Sequence, residues 1–415
     1  MVDQLSTPRA AALYVGALLG PGLLLLPGLA AHLAGPASIL AWGGLLVLSA
    51  LFAVVFTGLG VRYGSRSGVA GYVAAAFGAR AGRAATRCFV TGVVLGAPLV
   101  CLIGGGYVAV LFGGGRLATV LIAVAMLVAV VALTMSGTRT SSTVQFALVA
   151  ALVALVAVAV LGSSDHLRAD RWTPFAPHGW GAIGSAAAAL MLSFVGWEAI
   201  APMTARLREP GRQLPRVIAI AFAVSAFIYL ALAATTVGAL GADAGGRAPL
   251  AALMELAVGP AGRVVAAVAA VGLTLAAVNA YVSGAAEMIA DLHPSPRARA
   301  GLPLAIGAVG VVVLGLAALG ALSTARLVAL PTTLFLTVYL LCMLGACRLL
   351  RGSARVAAAL ACVVVAVVLG FCGWPVLVAG LVAGAPMIRK GRIPSRSIKI
   401  DTESVVEQGC EMSVA

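Results

Sequence analysis

The sequence predicts an all-α membrane protein of about twelve transmembrane helices. Three observations predict it. Of 415 residues, 62% are apolar and only 10% are charged, against about a quarter charged in a soluble domain. A soluble chain of this size has to face water and cannot hide so much apolar surface. The apolar residues also arrive in blocks close to the roughly 20 residues that cross a hydrocarbon core. The blocks are rich in Ala, Leu, Val and Gly and show no period-two alternation, which favours helices over a β-barrel.

Hydropathy places the spans near residues 10–33, 37–61, 87–112, 117–135, 143–162, 181–203, 216–240, 263–286, 301–322, 326–347, 354–371 and 373–388. The last two are short and separated only by Gly373-Trp374-Pro375. The first block is long, poorly basic at its start and followed at once by a second, so it reads as a span and not as a cleavable signal. The tail from about 389 to 415 is polar and mixed in charge, and reads as disordered and cytoplasmic.

The net charge of +14 raises nucleic acid as a partner, and its distribution removes it. With the N-terminus inside, 21 of the 27 Lys and Arg residues fall on the cytoplasmic side and six (Arg116, Arg168, Arg171, Arg247, Arg263, Arg326) on the other. That is the positive-inside asymmetry of an even number of spans with both termini in the cytoplasm. The basic balance is a topology signal and a contact with anionic membrane lipid. The seven cysteines form no CxxC pair, so neither a metal site nor a disulfide framework is indicated, and no cofactor motif stands out. The oligomeric state is not specified by these residues.

Within lipid every backbone N–H and C=O must be paired, so a helix breaks only beside protein or water. Two spans carry break signals. In the first, Gly16-Ala-Leu-Leu-Gly20-Pro21-Gly22 sets a proline between two glycines; Pro21 removes a helix bond, and the glycines admit backbone angles that other residues resist. The alternative is a helix-packing face, because Gly16 and Gly20 have GxxxG spacing. In the sixth, Phe194-Val195-Gly196-Trp197-Glu198 precedes Pro202. Glu198 is a carboxylate inside an uncharged stretch, where burial costs at least ~2.5 kcal/mol, so it should line a cavity or hold a partner. Trp197 reads equally as a lid over a ligand or as a packing residue. Asn279 in span eight reads either as cavity-facing or as a core hydrogen-bonding group.

Spans one and six are five apart. That is the offset of two inverted five-helix repeats, about 10–162 and 181–347, with a site between their broken members and two peripheral helices at about 354–388. Half-helix N-termini then offer N–H groups and positive dipole ends to an anionic group such as a carboxylate. A membrane-embedded enzyme would need a nucleophile and base or a metal cluster, and no HExxH or GxSxG is present.

The motifs resemble those of the amino acid–polyamine–organocation (APC) superfamily of permeases, along almost the whole chain. Gly20-Pro21-Gly22 is similar to its first-span G-x-G break. Phe194-Val195-Gly196-Trp197-Glu198, followed by Glu209-Pro210 and Leu214-Pro215-Arg216, is similar to its sixth-span signature. Ser67-Gly68-Val69-Ala70-Gly71-Tyr72 with Phe77-Gly78 is similar to the motif after its second span. A more specific resemblance, to bacterial L-methionine and branched-chain amino-acid exporters, rests on the sixth-span block, Gly373-Trp374, and Tyr339-Leu340-Leu341-Cys342-Met343-Leu344-Gly345 with Cys347-Arg348-Leu349-Leu350.

The resemblance implies a LeuT-like fold of ten core and two peripheral helices, forming one transporter domain over 1–388 in a bacterial plasma membrane. It implies outward movement of neutral apolar amino acids by alternating access, driven by protons, with the amino-acid backbone held at Gly20–Gly22 and Val195–Glu198. Importers and exchangers share the same motifs. For coupling, span eight lacks a clear sodium-site pattern and span five has no lysine; Glu198 is the proton-carrier candidate by elimination.

Overall fold

The computed structural model describes residues 5–64, 68–136, 142–197, 204, 206–292, 296–321 and 323–385. Residues 198–203, with Glu198 and Pro202, Ser67 of the motif after span two, and the tail beyond 385 lie outside the described residues, as does the side chain of Pro21. The described helices belong to one unit ending at Ala383.

Nine stretches among the described residues are long and apolar enough to cross a membrane. They account for spans two to five and seven to eleven. Span one is split into Thr7–Leu18, a 3-10 turn at Pro21–Leu24, and Leu26–Ala34. Span six begins as Ala182–Leu190 and tightens into a 3-10 turn at Met191–Phe194. Span twelve is a short helix, Pro375–Gly384. Side chains in mid-span such as Leu121, Val128, Phe227, Val311 and Val363 are exposed, which is stable only where lipid replaces water.

Helix ends follow local chemistry. Spans seven and eight and the short helix Pro249–Val258 each start on a proline, whose missing N–H is no loss in a first turn. Span two (Ser38–Tyr63) stops at Gly64, which takes a left-handed conformation and returns its N–H to Gly60 O at 3.1 Å. Span three (Ala79–Leu111) begins two turns before its hydropathy does. Arg80, Arg83 and Arg87 occupy those turns; long basic side chains reach the membrane surface while the backbone stays helical.

The packing follows the five-span offset. The second half of span one packs on span six, span two on span seven (Pro210–Thr235), span three on span eight (Pro260–Leu292), and span four (Arg116–Met135) on span nine (Pro296–Ala318). The short helix Gly68–Phe77, between spans two and three, packs on span ten (Thr324–Leu349); its counterpart Pro249–Val258, between spans seven and eight, packs on span five (Ser142–Gly162). Spans one, two, six and seven therefore form one group and spans three, four, eight and nine another. Span eleven (Ser353–Gly370) lies against spans two and ten.

Glycine sets how closely the second group packs. A methyl at Gly105 would fall 2.5 Å from Thr119 O on span four, and one at Gly104 would fall 2.7 Å from Thr274 Oγ1 on span eight. Gly43 on span two has nothing within 4 Å. Gly105→Ala should therefore destabilise the folded protein by about 1–3 kcal/mol through overpacking, while Gly43→Ala should be neutral or slightly stabilising. The thermal midpoint of the purified protein in detergent checks both.

Candidate functional site

The two breaks lie against each other. Past Leu18 the first helix ends, Gly20 takes an extended ψ of 173°, and the chain resumes as the Pro21–Leu24 turn. In span six, Val195 is extended at φ −75°, ψ 135°, and Gly196 adopts φ +139°, which only glycine takes without strain. A Cβ at Gly196 would meet Ala17 O at 2.4 Å, and one at Gly22 would meet Ser193 Oγ at 2.9 Å. These glycines let the two backbones approach to contact distance.

The interrupted backbone is satisfied by tyrosine hydroxyls from four neighbouring spans and from span one itself. The Tyr229 hydroxyl, on span seven, sits 2.6 Å from both Leu18 O and Ser193 O, one carbonyl from each break. Tyr14 donates to Trp197 O at 3.3 Å, and Tyr281 on span eight to Val195 O at 3.5 Å. Gly196 N–H donates to the Tyr339 hydroxyl on span ten at 3.1 Å. Tyr107 on span three donates to Leu24 O at 2.6 Å and accepts from Leu250 N at 3.2 Å.

Between the breaks and the second helix group lies a small cavity, with about 50 Å³ open to the centres of water-sized molecules. Gly20, Gly22, Leu192 and Val195 form one wall. Span three supplies Gly92, Val93, Gly96, Ala97, Val100 and Ile103; span eight supplies Ala277, Val278 and Tyr281; span ten supplies Phe335. Among the described residues, no lining residue is charged. Span one reaches the cavity only through Gly20 and Gly22 at its break, and the N–H groups of Leu23 and Leu25 turn back to Gly20 O and Gly22 O at 3.2 Å.

The expected site residues divide by location. Gly20, Gly22 and Val195 line the cavity, and Gly196 stands at the contact between the breaks. Pro21 begins the turn between the two lining glycines. Gly16 faces span five, where a Cβ would fall 2.2 Å from Val149 Cγ2. Phe194 packs against Trp42 and Tyr229, with ring centroids 5.9 and 5.2 Å apart. Trp197 is fully buried, stacked on Phe56 at 6.4 Å, edge-on to Tyr14 at 5.7 Å, with Nε1 donating to Ser49 Oγ at 3.1 Å; in this conformation it packs. Asn279 is buried on span eight and is not among the lining residues. Glu198 lies outside the described residues. Sequence reasoning pointed to span eight, where Tyr281 lines the cavity and Asn279 does not, and missed the walls from spans three and ten. The four-residue spacing of Gly92 and Gly96 was a signal, though one shared with ordinary helix packing.

The two membrane faces differ. A vestibule of about 680 Å³, lined by Leu25, Leu29, Gly106 and Arg247 among others, opens at the face opposite the N-terminus and shares Ile103 with the central cavity. At the N-terminal face, Leu5 N–H donates to Arg206 O at 2.9 Å in an isolated bridge between Leu5 and Leu207. That bridge ties the start of span one to the segment after span six.

Residues 5–294 match the family described as amino acid permease. The chain belongs to that family. This permease is 30% identical over 393 residues to an uncharacterized amino acid permease of Bacillus subtilis, YecA, covering 91% of this chain and 93% of that one. It is 29% identical over 397 residues to the L-methionine/branched-chain amino acid exporter YjeH of Escherichia coli, again covering 91% and 93%. Among solved structures it resembles MhsT in complex with L-phenylalanine, with a TM-score of 0.62 over 92% of this chain and 99% of that one, at 14% identity. The permease thus has the LeuT-like inverted-repeat fold, with spans one and six broken, and is a multi-pass membrane transporter of amino acids.

Adding a methyl at Gly196 requires both a strained φ and a displaced span one. Gly196→Ala should abolish amino-acid binding or lower it at least tenfold, a loss of about 1.4 kcal/mol or more. Gly20 has nothing within 4 Å of a Cβ, so Gly20→Ala should fold normally and weaken binding only by filling the cavity. Equilibrium binding of labelled amino acid to both variants separates the two cases.

Proposed function

We propose that this permease is a secondary active transporter of neutral apolar amino acids, the methionine, leucine, isoleucine and valine class, working by alternating access as a proton-driven exporter of the bacterial plasma membrane. The observation that carries the substrate class is the cavity lining. Among the described residues its walls are Val93, Val100, Ile103, Leu192, Val278 and Phe335 with small residues between, and the one side-chain polar group is the Tyr281 hydroxyl. A charged substrate side chain would be stripped of water there with nothing to pair it. An aliphatic or thioether side chain gains by burial, about 25 cal/mol per Å².

On this reading the amino-acid backbone is held by the breaks. Its carboxylate faces the N–H groups at the start of the second half of span one, and its ammonium faces the carbonyl ends of the first halves. Support for the class also comes from the Escherichia coli relative, whose name gives methionine and branched-chain amino acids, and from MhsT, solved with phenylalanine. The proton is assigned to Glu198. A carboxylate inside the membrane is expensive when ionised, so it gains and loses a proton as its access to water changes. The asymmetry of the basic residues supports a cytoplasmic position for both termini.

Flux of labelled methionine and leucine in proteoliposomes, with and without an imposed pH gradient, tests the assignment. Saturable flux that follows the gradient is expected, and Glu198→Gln should make it indifferent to pH. Flux driven inward by the gradient would make the protein an importer, and obligatory counterflow an exchanger. No movement of either amino acid removes the substrate class. Within the class, Gly96 is the specificity position, because a Cβ there meets only Pro331 Cβ, at 3.6 Å, and larger side chains project into the cavity. Gly96→Val should raise KM for leucine and methionine about tenfold more than for valine, since displacing one or two methylenes is worth roughly 1–3 kcal/mol.

A further inference from the structure

We propose that the Tyr107 hydroxyl is the latch of the gate between the central cavity and the vestibule. The inference rests on the alternating-access reading above and adds to it the bond that must break in each cycle. Tyr107 is fully buried near the end of span three. Its hydroxyl joins three elements at one point, donating to Leu24 O in the turn after the first break and accepting from Leu250 N at the start of the helix Pro249–Val258. The same helix touches span one again at Gly28, where a Cβ would fall 2.8 Å from Pro249 Cβ, and the turn Gly241–Gly245 before it closes on the same glycine through Ala244 O. One helical turn before Tyr107 stands Ile103, the residue shared by the cavity and the vestibule, and the neighbours Gly106 and Leu25 line the vestibule. The knot is therefore in the wall between the two spaces.

The packing says which bonds this transporter breaks. Span one moves with spans two, six and seven, and span three with spans four, eight and nine, because those are the groups each packs in. The bond from Tyr107 to Leu24 O crosses from one group to the other. The bond from Tyr229 to Leu18 O has the same length, 2.6 Å, and the same chemistry, yet lies inside one group. A displacement of one group against the other breaks the first and leaves the second. A buried hydroxyl and carbonyl separated without water lose their bond outright. Once the widened passage admits water from the vestibule, the two groups are satisfied again. Opening is therefore opposed at its start and relieved at its end, which gives two discrete states in place of a graded one.

The test compares Tyr107→Phe with Tyr229→Phe, each of which removes one oxygen and keeps the ring. Val93, buried on the wall of the central cavity behind the gate, is replaced by cysteine in a background with the native cysteines changed to serine. The protein is placed in lipid nanodiscs, where both faces meet solvent, and alkylation by a hydrophilic maleimide is timed. Tyr107→Phe should speed alkylation roughly three- to tenfold, the equivalent of one net hydrogen bond, and Tyr229→Phe should leave it unchanged. Gly28→Ala, which forces the helix Pro249–Val258 off span one, should speed it as well and serves if Tyr107→Phe does not fold. An unchanged rate in both Tyr107→Phe and Gly28→Ala, or an equal rise in Tyr107→Phe and Tyr229→Phe, overturns the latch. Methionine and leucine flux by the unmutated protein is measured in parallel; its absence would overturn the substrate reading and leave the alkylation result to judge the latch.

Discussion

In hydrocarbon an unpaired backbone N–H or C=O costs several kcal/mol, and this constraint governs everything else in the molecule. A substrate site made from backbone requires helices to be interrupted, and each interruption exposes groups that no water can reach. The chain answers with tyrosine. Five of its seven tyrosines bond to the backbone at or beside the two breaks. A phenol reaches across from a neighbouring helix, donates and accepts, carries no charge and buries a large apolar ring. Short hydroxyls do not serve. Thr57, Thr134, Thr332 and Thr333 each bond the carbonyl four residues back on their own helix. The breaks are thus held by partners on other spans, and the site's geometry depends on how those spans are placed.

That dependence explains what was legible in the sequence. The spans could be read because the bilayer dictates both their length and their composition, and the positions of the breaks because Pro21 and the flanking glycines leave a helix few options. Span ends were less legible where charge intervened, as at Arg80 and Arg83, since hydropathy stops at an arginine and helical hydrogen bonding does not. The cavity walls were hidden for a different reason. Gly92 and Gly96 face the site, while Gly104 and Gly105, on the same helix, face Thr274 and Thr119. The two pairs have the same chemistry and differ only in which way the helix turns them. Phe194 and Trp197 stand within the sixth-span motif and yet turn away from the cavity into the core, because an interrupted segment needs large side chains to anchor it.

The inverted repeat supplies what one broken helix cannot. A helix end offers partial charge of one sign, positive at an N-terminus and negative at a C-terminus. Two broken spans brought together by the five-span offset present both signs at one place, which suits a zwitterion without any ionised side chain at the cavity wall. Charged walls would fix affinity to a particular substrate side chain, and they would also have to be desolvated in every cycle. On the proposed reading, with backbone as the recognition element, the part common to all α-amino acids is bound by the breaks, and the variable part is left to the shape of an apolar cavity.

Shape alone discriminates weakly. One methylene more or less in an apolar pocket is worth only about 1–3 kcal/mol, whereas a misplaced charge is worth far more. On the proposed reading, a site lined by glycine, alanine, aliphatic side chains, Tyr281 and Phe335 therefore excludes charged amino acids strongly and separates leucine from methionine hardly at all. The cavity is also small, about 50 Å³ beside a vestibule of about 680 Å³, so it must widen to take its cargo. Its walls belong to both helix groups, and widening means moving one group against the other, which is the same displacement that breaks the bond from Tyr107 to Leu24 O. On the proposed reading, substrate entry and gate release are one motion, and a broad class of apolar amino acids is served because each of them forces that motion in the same way.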